Sequence, residues 1–373
     1  MGRRSSGSAP SAHGRFWLGA VCALVGATSW GFSGACIQFL VEGYAVSSAF
    51  ISFVRAATAA VLFLVLVLAT RREALLSLLG SRAARCTLVL FGVGLYLSQI
   101  TYAISIEMTN AGTATVLQAT CTVFVMLFTC LRARRLPRAA DFAGLVAAMA
   151  AAALIATQGD WGVIVLPAAG LAWGIANALS ETLYIMAPQR LYDHWDRVTI
   201  IGAGMVISGA VAAAVWLATA VAGVGPAAAG PGAAFAPGAA FAPVDASAGA
   251  VSGDASTVAA IQATAAPSSS ASGAPSLVPA LDAVGWLALI GGVGVLGTFV
   301  AFGLFLYGVS LVGSVKGSLL GVAEPVGAMV IAAVWLGTPF SAADWGGLAL
   351  MAAMIALVSL PSRRGDLGRD ADQ

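Results

Sequence analysis

Charged side chains are scarce in this sequence. Of its 373 residues 9% are charged and 60% are hydrophobic, and the mean hydropathy is +0.93. Soluble domains carry about 25% charged residues, so the composition excludes a disordered chain and argues against a soluble enzyme. A chain this apolar needs lipid as its solvent. The net charge is only +2, so no strong field attracts nucleic acid and we expect no nucleic-acid partner.

Lysine and histidine are almost absent, which removes several kinds of site. Lys316 is the one lysine, and because it stands between Val315 and Gly317 it cannot belong to a P-loop, which needs Gly-Lys-Ser/Thr. His13 and His194 lie in polar segments without metal-ligand spacing. The five cysteines lie in apolar segments without a C-x-x-C motif, so we interpret them as small buried hydrophobic residues. We predict no metal, no cofactor and no enzyme activity.

Long apolar segments recur along the chain. About 20 apolar residues in a helix cross a hydrocarbon core of about 30 Å. The first segment is too long for the apolar region of a signal peptide. We predict ten spans, at 16–41, 47–70, 84–106, 110–131, 139–157, 162–186, 198–222, 281–308, 312–336 and 342–361.

The arginines test this count independently. If the N-terminus is cytoplasmic, the even-numbered loops and both tails should carry the basic residues. They carry all but two of the 18 basic residues, and the odd-numbered loops carry none. The exceptions, Arg55 and Lys316, fall inside predicted helices. We therefore predict an all-α integral membrane protein with ten transmembrane helices and both termini cytoplasmic. The preference for Arg and Ala points to a bacterium, hence to a multi-pass protein of the plasma (cell inner) membrane.

One loop breaks the compact pattern. Residues 223–280 are mostly Ala, Gly, Pro and Ser and offer no apolar face, so we predict a disordered extracytoplasmic tether. A functional ectodomain there is the alternative. The remaining units are a cytoplasmic N-terminal tail, two five-helix repeats and a cytoplasmic C-terminal tail, at 1–15, 16–157, 162–361 and 362–373.

The two halves of the chain resemble each other. Five helices per half is an odd number, so the second half would enter the membrane from the opposite side. Inverted repeats place a solute site near the midplane, and rocking about it gives alternating access. The aligned positions are Trp30-Gly31 with Trp173-Gly174, Tyr102 with Tyr307, and 139–145 with 342–348.

Four short motifs carry a resemblance to a known family. They are Ser29-Trp30-Gly31-Phe32 in the first span, Arg55 in the second, Ala172-Trp173-Gly174 in the sixth and Ala323-Glu324-Pro325-Val326 in the ninth. In their order and spacing the sequence resembles the EamA-type family of the drug/metabolite transporter superfamily over nearly the whole chain. The resemblance implies ten helices in two repeats and the transport of small organic metabolites such as amino acids, with export as the direction. The family often has Pro midway along the fourth helix, where this chain has Thr120.

Two ionisable residues lie well inside predicted spans, where a charge is costly and usually faces the bundle interior or a watery cavity. Arg55 is either a cation that attracts a substrate carboxylate or a structural residue that binds carbonyls of a neighbouring helix. Glu324, midway along the ninth span and followed by Pro325, is our candidate for proton coupling. Its alternative role is a kink element that caps nearby groups or pairs with Arg55.

Aromatic and amide side chains form polar stripes along several spans and suit a pathway for polar organic solutes. Interhelical hydrogen bonding is the alternative explanation for the stripes. Glu181 lies near the predicted cytoplasmic end of its helix, where simple solvation is the alternative. Together with Arg55, the substrate-pathway candidates are Trp30, Gln38, Tyr96, Gln99, Tyr102, Gln118, Trp173, Asn177, Glu181 and Tyr307.

A secondary active transporter of a small-molecule solute is the function that these features favour, with coupling to protons as an option. An ion channel would favour charged rings or a filter, and an intramembrane enzyme would favour paired carboxylates, histidines or a metal cluster. Both stay as alternatives, and a homodimer is left open.

Overall fold

The structure is a computed structural model that describes residues 12–132, 134, 136, 139–160, 165–221, 278–313, 317 and 320–359. Every regular element in these ranges is a helix. A short 3₁₀ turn, Ala187–Arg190, follows the eighth helix. In chain order the helices are α1 (Ala12–Tyr44), α2 (Ser48–Thr70), α3 (Arg72–Gly80), α4 (Arg82–Met108), α5 (Ala111–Ala119), α6 (Cys121–Arg132), α7 (Ala139–Thr157), α8 (Ala168–Met186), α9 (Arg197–Val221), α10 (Ala283–Trp286), the π-helix π1 (Leu287–Val300), α11 (Ala301–Val312), α12 (Ala323–Trp335) and α13 (Ala342–Ser359).

Helix length and composition support a multi-pass membrane protein. Six helical segments of the described chain are long and apolar enough to cross a membrane: His13–Tyr44, Ser48–Thr70, Arg82–Met108, Ala111–Arg132, Arg197–Thr219 and Ala283–Val312. Shorter apolar helices cover Phe142–Thr157, Ala323–Trp335 and Ala342–Leu357. The all-helical prediction is therefore confirmed for the described residues. The count of ten spans and the orientation of the termini stay predictions.

The exposed surface of these helices is apolar, as a lipid solvent requires. On α2, Val61, Val65 and Leu68 are exposed at the spacing of one helix face, while Phe63 and Val67 on the other face are buried. This is the arrangement expected of a helix that packs on its neighbours with one side and meets acyl chains with the other.

The second predicted loop contains a helix that the sequence analysis did not predict. Helix α3 is nine residues long, carries Glu73 in its first turn and buries Leu75 and Leu78. The arginines around it predicted a loop outside the membrane. Such charges indicate which side of the membrane a segment is on, but they do not exclude a short helix at the membrane surface.

The fourth predicted span is interrupted at Thr120, between α5 and α6. The Thr120 hydroxyl donates a 2.6 Å hydrogen bond to the Leu117 carbonyl, and the Val123 amide bonds to the Thr120 carbonyl three residues back. A threonine that bonds to the preceding turn bends helices. It thus changes the helix at the position where the resembling family often has Pro.

The ninth span is also broken, so Glu324 does not lie in an unbroken helix as predicted. Gly313 takes a φ of 87° and ends α11, and a turn at Gly321 and Val322 precedes α12. Pro325 is the third residue of α12, where its missing N–H would have no intrahelical acceptor anyway. The proline therefore starts a helix here and does not kink one.

The eighth span contains a π-helix that no sequence pattern indicated. Glycines allow π1 and α1 to approach closely: a Cβ at Gly297 would lie 2.2 Å from the Ser33 Cβ. At the other end, Asp282 caps α10 by accepting hydrogen bonds from the Gly285 amide (2.8 Å) and the Tyr44 hydroxyl (2.7 Å). These bonds hold the pKa of Asp282 below its usual value.

Helices from the first half pack mainly on helices from the second half. Helix α1 packs on π1, α11 and α12, while α2 packs on α9. Helix α4 packs on α8, and α7 packs on α13 through Ala148, Ala151 and Ile155 against Met351 and Met354. The two halves therefore interlock along their length, and the centre of the bundle is where side chains from both converge.

The cysteines follow the prediction only in part. All five are free thiols; Cys36, Cys121 and Cys130 are buried, Cys22 is half-buried and Cys86 is exposed. The prediction that Cys86 is buried is wrong, because the apolar face on which it lies is exposed. Outside the described residues lie Lys316, residues 1–11 of the predicted N-terminal tail, the whole predicted C-terminal tail (362–373) and residues 223–277 of the predicted tether.

Candidate functional site

A polar cavity lies at the centre of the bundle, where the two halves meet. The space open to the centre of a water molecule is about 70 Å³, enough for roughly five waters at 10–15 Å³ each. Both halves contribute to its wall, which is formed by Trp30, Arg55, Leu95, Ser98, Gln99, Tyr102, Gln118, Glu181, Tyr184, Met205, Thr298, Phe302 and Glu324.

Arg55 is the cation of this cavity. It is 8% exposed, and its Nε donates a 2.9 Å hydrogen bond to the Thr298 hydroxyl. Thr298 also donates to the Val293 carbonyl five residues back, a bond that belongs to the wide turn of π1. Within the described residues no direct ion pair joins Arg55 to Glu324, and the terminal guanidinium nitrogens have no hydrogen-bond partner there. The bond across the halves fixes one edge of the guanidinium and leaves the other for a ligand.

Glu324 lies in the first turn of α12. Its Oε1 lies 3.5 Å from Nε2 of Gln118, which belongs to α5 in the other half. The contact is long for a hydrogen bond. Glu324 therefore faces the cavity without a strong partner among the described residues.

Glu181 is the second carboxylate of the cavity wall, which places it inside the bundle. Its Oε1 accepts a 3.2 Å hydrogen bond from the Tyr184 hydroxyl, one turn further along α8. Its Oε2 is buried and has no hydrogen-bond partner within the described residues. The charged groups of the described lining are thus one guanidinium and two carboxylates, an excess of one negative charge when all three are ionised.

Aromatic and hydroxyl groups complete the wall. The ring of Trp30 packs edge-on against Phe302 at 5.1 Å and tilted against Phe305 at 4.9 Å. The Tyr102 hydroxyl shares a 2.7 Å hydrogen bond with the Thr115 hydroxyl, which orients the phenol. Such a wall can bind the apolar part of a small organic solute beside the charged groups.

Seven of the predicted site residues share this cavity and five do not. Those that line it are Trp30, Arg55, Gln99, Tyr102, Gln118, Glu181 and Glu324. Those that do not are Gln38, Tyr96, Trp173, Asn177 and Tyr307. For part of these five residues, hydrogen bonding between helices is a better explanation than a place in a solute pathway.

Gln38 and Asn177 are structural hydrogen-bonding residues in this structure. Gln38 Nε2 donates to Glu42 and to the Thr338 hydroxyl, and its Oε1 accepts from the Ala111 amide, each at 2.9 Å. Asn177 Nδ2 donates 2.8 Å to the Ser98 carbonyl on α4. Both side chains thereby join helices, although Asn177 Oδ1 is buried without a partner among the described residues.

The other three candidates lie elsewhere. Tyr96 is buried in a small cluster with Ala56 and Ala212. Trp173 is half-buried outside the cavity, and Tyr307 is 51% exposed on α11. The correspondence of Tyr307 with Tyr102 in the sequence repeat therefore does not give the two tyrosines the same environment.

Several lining residues are not among the predicted pathway candidates. Helical spacing does place one of them, Tyr184, on the same side of the sixth span as Glu181, three residues away. Thr298 and Phe302 lie in and next to the π-helix, whose wide turn changes which residues share a face, so helical spacing could not have identified them. Among the described residues, no group of three or more His, Cys, Asp and Glu side chains could hold a metal ion.

Comparison with known proteins agrees with this architecture. The EamA-like transporter family matches this chain over residues 17–157 and 256–360. A protein of Salmonella typhimurium strain LT2, described as an uncharacterized inner membrane transporter YicL, is 28% identical over 346 residues, which cover 91% of this chain and 95% of that protein. A protein of known crystal structure superposes with a TM-score of 0.53 and 17% identity over 93% of this chain and 98% of its own, a likeness of fold alone.

Proposed function

Because this chain belongs to the EamA-like transporter family, we propose that it is a secondary active transporter of small organic solutes and that the polar cavity is its substrate site. The family and the Salmonella relative indicate a transporter in a bacterial inner membrane. The observation that carries the proposed substrate site is that the charged residues of the cavity come from both halves, Arg55 from the first and Glu181 and Glu324 from the second.

The helix packing supports ten spans in two inverted five-helix repeats. In such an arrangement the first span corresponds to the sixth, the second to the seventh, and so on. The contact of α1 with α11 then corresponds to that of α8 with α4, and the contact of α1 with α12 to those of α8 with α5 and α6. The pairs α2–α9, α5–α12 and α7–α13 join equivalent spans. Rocking of one repeat on the other would open the central cavity to alternate sides.

The charges of the cavity favour a solute that carries both a carboxylate and an amine, such as an amino acid. The free edge of the Arg55 guanidinium suits a carboxylate. Glu181 and Glu324 supply negative charge for an ammonium group, and Trp30 and Phe302 suit an apolar side chain. With both carboxylates ionised, the empty cavity has one uncompensated negative charge, which a proton would balance. This excess charge gives a physical basis for coupling to protons. The direction that the family resemblance favours is export.

Flux through liposomes distinguishes this function from the alternatives. Purified protein should catalyse saturable exchange of labelled amino acids and gradient-driven accumulation. Unsaturable ohmic current would instead indicate a channel. Chemical turnover without net flux would indicate an enzyme, although the family points to a non-enzymatic transporter.

Conversion of each carboxylate to its amide tests the site itself. Glu324→Gln and Glu181→Gln keep shape and hydrogen bonding but lose the charge. If either carboxylate couples proton movement, its Gln variant should keep solute exchange at equal concentrations, lose driven accumulation and show a flattened pH dependence. Glu73→Gln is the matched control, since Glu73 is exposed on α3, away from the cavity, and it should behave as wild type. Wild-type driven transport and pH profile in both cavity variants would contradict a role for these carboxylates.

A further inference from the structure

A second cavity, which we call the groove, lies on the side of the bundle, between α2, α3, α4 and α9. The space open to the centre of a water molecule is about 140 Å³, twice that of the central cavity. Its wall holds no polar side chain and consists of Leu64, Val67, Leu75, Leu79, Leu88, Gly202, Ala203, Val206 and Ile207. A cavity of this composition does not suit water, which needs two to four polar partners, but it suits a hydrocarbon chain.

Helix α3 borders this groove and has the character of a helix at the membrane surface. Leu75 and Leu78 are buried, whereas Leu76 is 59% exposed and Leu79 is 40% exposed. Exposed leucines on a short helix next to charged residues are typical of a helix in the headgroup region. Trp195, whose indole donates 3.2 Å to the Ser77 hydroxyl of α3, marks the same level, because tryptophan is enriched at membrane interfaces.

Four exposed arginines lie at the two ends of α3, two at each end. Arg71 precedes it and Arg72 is its first residue, whereas Arg82 and Arg85 follow it at the start of α4. The acidic residue on α3 is Glu73, so the segment has an excess of positive charge. At this level of a membrane such a cluster attracts anionic lipid headgroups.

The guanidinium of Arg85 lies at the edge of the groove. Its Nη1 donates a 2.7 Å hydrogen bond to the carbonyl of Leu79, a lining residue, and four of its five N–H groups remain for other acceptors. Arg71 follows α2 four residues after the lining residue Val67, to which its backbone amide is bonded at 2.7 Å, and its side chain is exposed. Arg85 therefore places positive charge at the edge of an apolar cavity, and Arg71 adds a second charge close by in the chain, which is the arrangement that a lipid with a charged head and an apolar tail requires.

We propose that this groove binds an acyl chain of an anionic phospholipid, whose net negative headgroup is attracted by Arg85 and Arg71. The groove takes Val206, Ile207, Gly202 and Ala203 from α9 and its other walls from the first half of the chain. A lipid bound there contacts both halves at once and stabilises the interface between them.

Lipid binding to the full-length protein in detergent tests this directly. Phosphatidylglycerol and phosphatidylcholine with identical acyl chains are titrated, and bound lipids are counted by native mass spectrometry. Phosphatidylglycerol should bind at least tenfold more tightly. An arginine near an anionic headgroup contributes about fivefold in affinity, so R71Q/R85Q should weaken phosphatidylglycerol about 25-fold and leave phosphatidylcholine unchanged.

Two controls separate the groove from general charge. R132Q/R134Q removes two exposed arginines from another loop and should leave phosphatidylglycerol binding at the wild-type level. Val206→Trp fills the groove and keeps the arginines, so it should weaken both lipids; Val206→Leu serves if the larger variant does not fold. Equal affinity for the two lipids, equal losses in the two arginine pairs, or wild-type binding in the folded groove variant would overturn the proposal. Glycerol phosphate that competes as well as the lipid would also overturn it, because the site would then bind a free anion.

Discussion

At Gly31, α1 packs closely on α12 beside the cavity, and we expect Gly31→Ala to be destabilising. A Cβ at Gly31 would lie 2.5 Å from the carbonyl oxygen of Glu324 and 2.6 Å from the amide nitrogen of Ala328. Ordinary contacts begin near 3.4 Å. Both obstacles are backbone atoms, so no change of rotamer relieves the clash and the two helices must separate. Overpacking of this kind costs about 1–3 kcal/mol.

Gly303→Ala is the matched control. A Cβ at Gly303 in α11 would meet nothing within 4 Å, and Ala is favoured over Gly inside a helix by about 0.5–1 kcal/mol. The two substitutions should therefore change the free energy of unfolding in opposite directions, as measured by denaturant titration in detergent with circular dichroism. Gly31→Ala should also slow transport, because it displaces the backbone that carries Glu324.

The reasoning would be refuted if Gly31→Ala were as stable as Gly303→Ala. Equal stability would mean that α1 and α12 are further apart than the structure places them. It would also remove the physical reason for the glycine in the Trp30-Gly31 motif, which is that it lets a helix of the second half reach the cavity beside Trp30.

Three further predictions concern a buried amide, a helix cap and the membrane topology. Gln38→Met should lower the free energy of unfolding by about 2–4 kcal/mol, because it removes three hydrogen bonds and leaves a buried amide without an acceptor. Gln189→Met, which loses one exposed bond, should change it by less than about 0.5 kcal/mol, and equal effects would contradict this account. Asp282→Ala should lower the melting temperature at neutral pH. Since the pKa of Asp282 is lowered by its bonds to the Gly285 amide and then the Tyr44 hydroxyl, the difference from wild type should vanish as the pH falls through that pKa; a difference independent of pH would contradict it. A reporter fused after Arg135 should signal cytoplasm and one at Asp254 the outside, and an external signal at Arg135 would overturn the ten-span topology.

The all-helical, membrane-spanning character of the protein was predictable from the sequence because it depends on local properties. Apolar length determines what can cross a bilayer, and this requires no knowledge of which helices are neighbours. The family resemblance was likewise carried by short motifs such as Trp30-Gly31, and the family match confirmed it. The polar residues inside the spans were identified as unusual for the same local reason.

The fate of each polar residue was not predictable, because it depends on partners far away in sequence. Gln38 donates a hydrogen bond to Thr338, which lies 300 positions further along the chain. From the sequence, Gln38 was predicted to line a solute pathway, whereas in the structure it joins two helices. Glu181 lies near the end of its helix, yet the packing of the bundle around it makes it part of the cavity. The turn before Glu324 and the π-helix around Thr298 change which side chains share a face, and no period of 3.6 residues reveals either.

Access to the central cavity from each side of the membrane tests the central claim most directly. Ser98 lines the cavity, and Ser98→Cys in a chain whose five cysteines are replaced by alanine gives it a single thiol. In oriented proteoliposomes, a membrane-impermeant thiol reagent should label this cysteine from either side, and saturating solute should slow the labelling from both. Labelling from one side only, at a rate that no solute changes, would contradict a transport site that opens alternately to the two sides.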